Sequence, residues 1–312
     1  MAGQVWQTNN LGGFMHSVNL SRKLRTALQP MTRFRQFCDA REAFGTGKGE
    51  AFNWNIYSDV VTAGGSLTET ETMPETNFTI TQASLTVNEY GNSVPFTKKL
   101  DDLSEHPVTE IIHKVLKNDA RKALDTATKV QFDLTVLRVT LTSGNDVQAL
   151  DLNTASTAPG TNNIAFGNLH CKTVADTLTE RDIPTFDGNN YMAIGRPTTF
   201  REFKDDLESI HQYVSEGWHV IMNGEKGRYE GIRFVEQTNV ASAAWTNSLS
   251  DEIFFFGADT VVEAISIPEE IRGKIPTDFG RSRGIAWYAM LGYGIVHTAA
   301  AQSRIIKWDS VA

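Results

Sequence analysis

Two glycine-rich turns, seven histidines and one acid-rich helix are the parts of this chain best suited to chemistry. The cluster GTGKGE, Gly45–Glu50, has the glycine density of a phosphate loop. A loop of that kind needs its Lys followed by Ser or Thr at a helix start. Here Lys48 is followed by Gly49 and then by a strand pattern, so the glycines read as a hinge. The second turn, NGEKGRYEG (Asn223–Gly231), sets Glu225 beside Lys226, which is the arrangement of a solvated tip. The histidines are His16, His106, His113, His170, His211, His219 and His297. No two have HxxxH spacing, and none joins Cys38 or Cys171 at zinc-finger spacing. His170 and Cys171 are adjacent and therefore poorly placed to share one metal. No GxSxG is present, so there is no nucleophile elbow. Asp205, Asp206 and Glu208 fall on the polar face of an amphipathic helix and read as solvated. The residues predict no catalytic, cofactor or metal site.

The composition suits a folded chain with a proper core: 312 residues, 40% hydrophobic and 21% charged. No run of eighteen apolar residues is present, so no membrane span is expected. The start, MAGQVWQTNNLGGF, lacks the features of a secretory signal. Two distant cysteines suggest buried thiols and synthesis in a reducing cytoplasm. A net charge of −8 argues against a nucleic-acid binder. The charge is segregated. Arg22, Lys23, Arg25, Arg33, Arg35, Arg41 and Lys48 face only Asp39 and Glu42 in the first 48 residues. From Gly49 to Glu110 only Lys98 and Lys99 oppose a series of carboxylates that includes Glu69 and Glu71. Such asymmetry suits contacts between copies.

Three extended pieces must hold these charges. A basic arm, Met1–Lys48, contains one short leucine stripe at Leu20, Leu24 and Leu28, ended by Pro30. That stripe is too short to be stable alone. Residues Glu50–Val61 alternate as a strand, with Phe52, Trp54, Ile56 and Val60 on one face and Asn53, Asn55 and Asp59 on the other. A Gly/Thr/Glu-rich tip, Thr62–Thr76, leads to a second strand, Phe78 to about Glu89, with Ala83, Leu85 and Val87 on one face. A two-stranded ribbon is marginal in water, so it must lie on its own body or on a neighbour. From Pro107 to about Leu141 apolar residues recur at steps of three and four, predicting one helix about 50 Å long. The β-branched cluster Thr135, Val136, Val139 and Thr140 weakens its last turns.

Beyond a polar loop at Gly144–Gly167 the texture becomes mixed α and β. Tyr191–Gly195 reads as a buried strand, followed by a helix with the stripe Phe200, Phe203, Leu207, Ile210 and Val214. His219–Met222, Ile232–Glu236 and Ile253–Phe256 read as short strands, and Gly284–His297 and Arg304–Trp308 as final ones that share the long helix's sheet.

Several ordered segments then carry a resemblance: VPFTKKLDDLSEHPV (Val94–Val108), GRPTTFREFKDDL (Gly195–Leu207), NGEKGRYEGIRFVEQT (Asn223–Thr238) and IPEEIRGKIPTDFGRSRGIAWYAMLGYGIV (Ile267–Val296). Together they resemble the major capsid proteins of tailed bacteriophages, of the N-four-like podophage type. The resemblance covers nearly the whole chain. It implies an α+β fold of the Hong Kong 97 type: residues 1–48 as N-terminal arm, 49–100 as extended loop, 101–167 as peripheral domain with its spine helix, 168–267 as axial domain and 268–312 as return strands. It implies no enzyme, but a virion subunit assembled in the host bacterial cytoplasm. Its partners are further copies in hexamers and pentamers, portal and scaffolding proteins and a decoration protein, around double-stranded DNA with no sequence-specific contact and no membrane. With arm-like sequence at the very start, scaffolding is expected from a separate protein. Candidate contacts between copies are Phe52 and Trp54 as ribbon anchors, and Arg22, Arg25, Arg33 and Arg35 of the arm facing Glu69 and Glu71 of a neighbour's ribbon. The type member of that fold cross-links neighbours through a loop lysine, and this chain has no lysine between Lys48 and Lys98. No such cross-link is expected. The alternatives are a nanocompartment shell of the same fold, and an α/β enzyme suggested by the glycine cluster and the acidic helix.

Overall fold

The computed structural model describes residues 32–43, 45–60, 64–70, 72–141, 150–153, 165–211, 228–240 and 252–309. A 3-10 turn, Phe34–Phe37, precedes β1 (Ala40–Ala43), β2 (Ala51–Tyr57), β3 (Ile80–Thr86), β4 (Asn88–Thr97), α1 (Lys98–Leu103) and α2 (Val108–Asp133). Then come β5 (Leu137–Leu141), β6 (Leu150–Asn153), α3 (Asn168–Glu180), β7 (Tyr191–Gly195) and α4 (Arg201–His211). The chain closes with β8 (Arg228–Tyr229), β9 (Ile232–Glu236), β10 (Glu252–Phe256), β11 (Val261–Gly273), β12 (Ser282–Ile295) and β13 (Ile305–Asp309). The leucine stripe at 20–28 and the strand expected at 219–222 lie outside the described residues.

Helix α2 buries every fourth residue: Val108, Ile112, Leu116, Ala120, Leu124, Thr128 and Phe132. At 3.6 residues per turn, each step of four rotates the stripe by about 40°. The buried face therefore winds around the helix. Toward the N-terminus it meets β4 and β12, and toward the C-terminus it meets the aromatic rings of the 3-10 turn and β10. Thr128 satisfies its buried hydroxyl by donating to Leu124 O at 3.0 Å. Pro107 sits at the N-cap, one residue before the first helical position, with φ −70° and no side-chain capping bond.

The helix is shorter than its apolar stripe predicts, ending at Asp133 rather than near Leu141. The β-branched residues that follow are recruited by β13, which pairs in parallel with β5 through Ile306–Leu137 and Trp308–Val139. Leu137 and Val139 enter a core on the other side of the sheet.

Three sheets are built from the described strands: β1-β11-β12-β4, β6-β5-β13-β10-β7-β9-β8, and the ribbon β2-β3. The second expected ribbon strand breaks at Val87. β3 stays in the ribbon, while β4 leaves it to pair with β12. The two final strands also part company, β12 joining α2's sheet and β13 the seven-stranded one. In that larger sheet β10 is covered on both faces, as its unbroken apolar run requires. Phe254 and Phe256 face α2 and the 3-10 turn, while Ile253 and Phe255 face Phe166, Phe200 and Trp308. In β11 the register slips on either side of Ile267, next to Pro268, which has no N–H to give the ladder.

Candidate functional site

The first glycine cluster and Asp206 have structural roles, while most of the second glycine-rich turn, residues 223–227 with Glu225 and Lys226, lies outside the described residues. Gly45, Gly47 and Gly49 take φ of 74°, 80° and 85°, a left-handed conformation suited to glycine, in the link between β1 and the ribbon. Lys48 between them is exposed. Asp206 accepts from Asn168 N at 3.1 Å at the start of α3, so it serves a helix end rather than a carboxylate pair. His170 is buried, with Nδ1 accepting from Gly167 N at 3.0 Å, and burial lowers it to about 4. Cys38 and Cys171 are free and buried, and burial pushes Cys38 up to about 12.

The root of the basic arm is fastened at several points. Phe34 and Phe37 are buried against Phe132, Phe254 and Phe256, with ring centroids 5.4 to 5.7 Å apart. Gln237, fully buried, accepts from Arg33 N at 2.9 Å and donates to Asp125 Oδ2 at 2.6 Å. Arg35 N donates to Asp125 Oδ1 at 3.3 Å, and Asn239 Nδ2 donates to Oδ2 at 2.8 Å. One carboxylate on α2 thus ties the arm to the segment after β9. Farther along, Asp39 accepts from Asp259 N and from Thr260 N at 3.2 Å, and β1 runs parallel to β11.

Arg35 is paired within its own chain. Its Nε donates to Glu263 Oε1 at 2.8 Å, and its Nη1 reaches Glu269. Glu263 has no exposed surface, it also accepts from Tyr293 OH at 3.0 Å, and its Oε2 forms an ion pair with Arg41 Nε 3.2 Å away. Burial works to lower the Arg35 pKa, but the facing Tyr293, Glu269 and Glu263 groups more than offset it and hold the guanidinium charged.

Burial pushes the Asp125 carboxyl above its ordinary range, and the bonds from Asn239, Arg35 and Gln237 offset only part of that. A carboxyl raised in the folded state stabilises fully below its unfolded-state pKa and loses that contribution as pH rises through the folded-state value. Asp125→Asn, which cannot titrate, is therefore expected to cost more stability in mild acid than at neutral pH. Urea unfolding of both proteins across that range checks it, and a penalty independent of pH would contradict it.

The ribbon docks by one face. Phe52 and Trp54 stack 6.1 Å apart and pack with Leu85 against Val262, Ala264 and Val296. Trp54 Nε1 donates to Val296 O at 3.1 Å. The two predicted anchors are thus half-buried on their own body. The outer face carries a different set: Tyr57 and Ile80 are cross-strand partners and both exposed, with Phe78 exposed beside them. Tyr57 was readable in the sequence, because it shares its strand parity with Asn53 and Asn55 and so must point away from the body. Glu69 is exposed in the link between the strands, and Arg33 is exposed at the arm root. Arg22, Arg25 and Glu71 lie outside the described residues.

A second projection is the end of the β11–β12 hairpin, with Ile275 and Phe279 exposed. A groove of about 270 Å³ also opens between the ribbon base, the end of α2 and β12, lined by Leu85, Leu134, Val136, Ile295 and His297. No described helix is long and apolar enough to cross a membrane.

No protein-family model matches the sequence, and no curated protein does. Solved structures do match its fold. The capsid structure of cyanophage P-SCSP1u is similar at 12% identity and a TM-score of 0.66, over 99% of this chain and 98% of that one. The mature capsid of bacteriophage PhiM1 is similar at 14% identity and a TM-score of 0.64, over 94% and 92%. The head of Helicobacter pylori bacteriophage KHP40 is similar at 12% identity and a TM-score of 0.62, over 97% of each chain. Over nearly its whole length the chain has the α+β Hong Kong 97-type capsid fold of tailed bacteriophages.

Proposed function

We propose that this chain is a major capsid protein, the subunit of an icosahedral head shell around a phage's double-stranded DNA. The observation that carries the reading is the end-to-end likeness to phage capsid subunits, with neither chain leaving a large part unmatched. The described residues support it physically. The arm root and the ribbon base are firmly held, while apolar surface on the ribbon and the hairpin end is left for other molecules to cover. On this reading the copies form hexamers and pentamers in the virion. Portal and scaffolding proteins and a decoration protein are further partners, and assembly takes place in the host cytoplasm. The narrower N-four-like likeness rests on the sequence segments alone.

Electron microscopy of the purified chain tests the reading. Closed shells tens of nanometres across are expected from the chain alone or co-expressed with its scaffolding protein, and a chain that stays monomeric under both conditions would overturn it. Because residues 49–97 contain no lysine, shells boiled in detergent are expected to run as a single monomer band. A ladder of covalent oligomers would contradict this.

A further inference from the structure

Helix α3 starts with a capping arrangement in which a histidine holds the place usually taken by Glu or Gln. His170, the third helical residue, reaches back so that its Nδ1 accepts from the N–H of the N-cap residue Gly167 at 3.0 Å. A Glu or Gln oxygen accepts whatever the pH. An imidazole does so only while Nδ1 is unprotonated, because both ring nitrogens of the cation are donors. The next amide, Asn168 N, is held separately by Asp206 Oδ2 of α4 at 3.1 Å.

The surroundings of the ring are unsuited to a charge. His170 is 2% exposed, and its Nε2 is buried with no hydrogen-bond partner among the described residues. Its ring centroid lies 4.7 Å from that of Trp308 and 6.1 Å from that of Phe166. Phe166 has no exposed surface and stands at the centre of its core, against Phe200, Phe203, Phe255 and Trp308. The residue just before the N-cap therefore carries the aromatic packing of that core. From α4 the charged group facing the ring is Asp206. The sheet presents the uncharged Phe255 and Trp308 to this side, and Lys307 of β13 lies over Phe254 on the opposite side. Burial lowers the imidazole to about 4, and the Asp206 carboxylate, which favours the cation, offsets only part of that.

We infer that His170 is an acid-released latch on the core around Phe166. A proton on Nδ1 sets donor against donor at Gly167, the cap opens, and the stretch from Ala165 to His170 lifts Phe166 away from Phe255 and Trp308. The sign follows from a value lowered in the closed state. The latch contributes fully above the ordinary histidine value of 6.5 and is lost as pH falls toward about 4. Asp125, whose carboxyl is raised, answers acid in the opposite sense. Mild acid should therefore loosen one core while the arm root stays tied to the other. The latch is a property of a single chain and goes beyond the shell reading without depending on it.

Hydrogen exchange of the unmodified chain and of His170→Gln in mild acid tests it. Glutamine suits the same capping position and does not titrate. With 6.5 for the opened state and about 4 for the closed one, protection factors over residues 165–171 of the unmodified chain should fall on the order of tenfold between neutral pH and a pH of about 5. Those of β12 should hold. In His170→Gln the same stretch should show no such fall, and comparing the two profiles cancels the carboxylates common to both. An unmodified chain as flat as the variant, or a variant as steep as the unmodified chain, would overturn the latch. Should the glutamine variant fail to fold, the unmodified chain decides alone: a loss over 165–171 no larger than that in β12 overturns it.

Discussion

Replacing Glu263 by alanine is expected to lower the unfolding free energy by about 3 kcal/mol, the scale for removing one partner of a buried ion pair. Glu263 is fully buried and is the meeting point of Arg35, Arg41 and Tyr293. Its loss leaves the Tyr293 hydroxyl without its acceptor and deprives a mostly buried guanidinium of one of two carboxylates. The damage should be local as well as global, because Arg35 and Arg41 fasten the arm root to β11. Proteases should then cut near residue 40 at concentrations that leave the unmodified chain intact. Glu263→Gln keeps an acceptor and should cost less. The double replacement Glu263→Leu with Arg35→Met should also cost less than Glu263→Ala, because it removes both charges together. Urea unfolding of the three variants checks the order, and a double variant as unstable as the alanine variant would show that the charges are not coupled.

Gly292→Val is expected to abolish shell formation while leaving the body folded. A Cβ at this position would lie 2.5 Å from Leu85 Cδ1 and 2.7 Å from Thr86 O, and the backbone oxygen cannot rotate away. The ribbon sits so close to β12 because Gly292 and Gly294 offer bare backbone to Leu85 and Trp54. Overpacking of this kind costs on the order of 1–3 kcal/mol. The ribbon's own contacts with the body are few, so the lost energy should appear as undocking rather than as unfolding of the sheet beneath. Hydrogen exchange should speed up in β2 and β3 and stay slow in β10 and β13. Normal shells from Gly292→Val would show that the ribbon's angle on its body does not matter for assembly.

Local pattern made much of this architecture legible. The ribbon's alternation, the apolar stripe of α2 and the unbroken apolar runs of β7 and β10 each follow from periodicity, because one buried face or two buried faces leave a direct mark on residue order. The end of α2 was marked less clearly: the β-branched residues from Thr135 on signal weakened last turns and a turn to strand, but the apolar stripe runs on through them, and Leu137–Leu141 is fixed as strand by pairing with β6 and with β13, some 170 residues later. The ribbon anchors show the same limit. Strand parity put Phe52 and Trp54 on one face, but it could not say that this face meets Val262, Ala264 and Val296 of the same chain. The same parity turns Tyr57 to the opposite face, where it is exposed.

By itself, the sequence determined the segregation of charge, the absence of a lysine from the ribbon, the extended character of arm and ribbon, and a likeness across ordered segments. Only the tertiary structure decided which charges are satisfied at home. Arg35 and Glu263 are 228 residues apart, and Trp54 and Val296 are 242 apart. Pairs so distant in the chain are brought together by strand order and register, which depend on every sheet neighbour at once and leave no periodic mark. The same packing left the described carboxylates Asp59, Glu69 and Glu75, in the link between β2 and β3, without an ion partner among the described residues, because that exposed stretch belongs to none of the sheets.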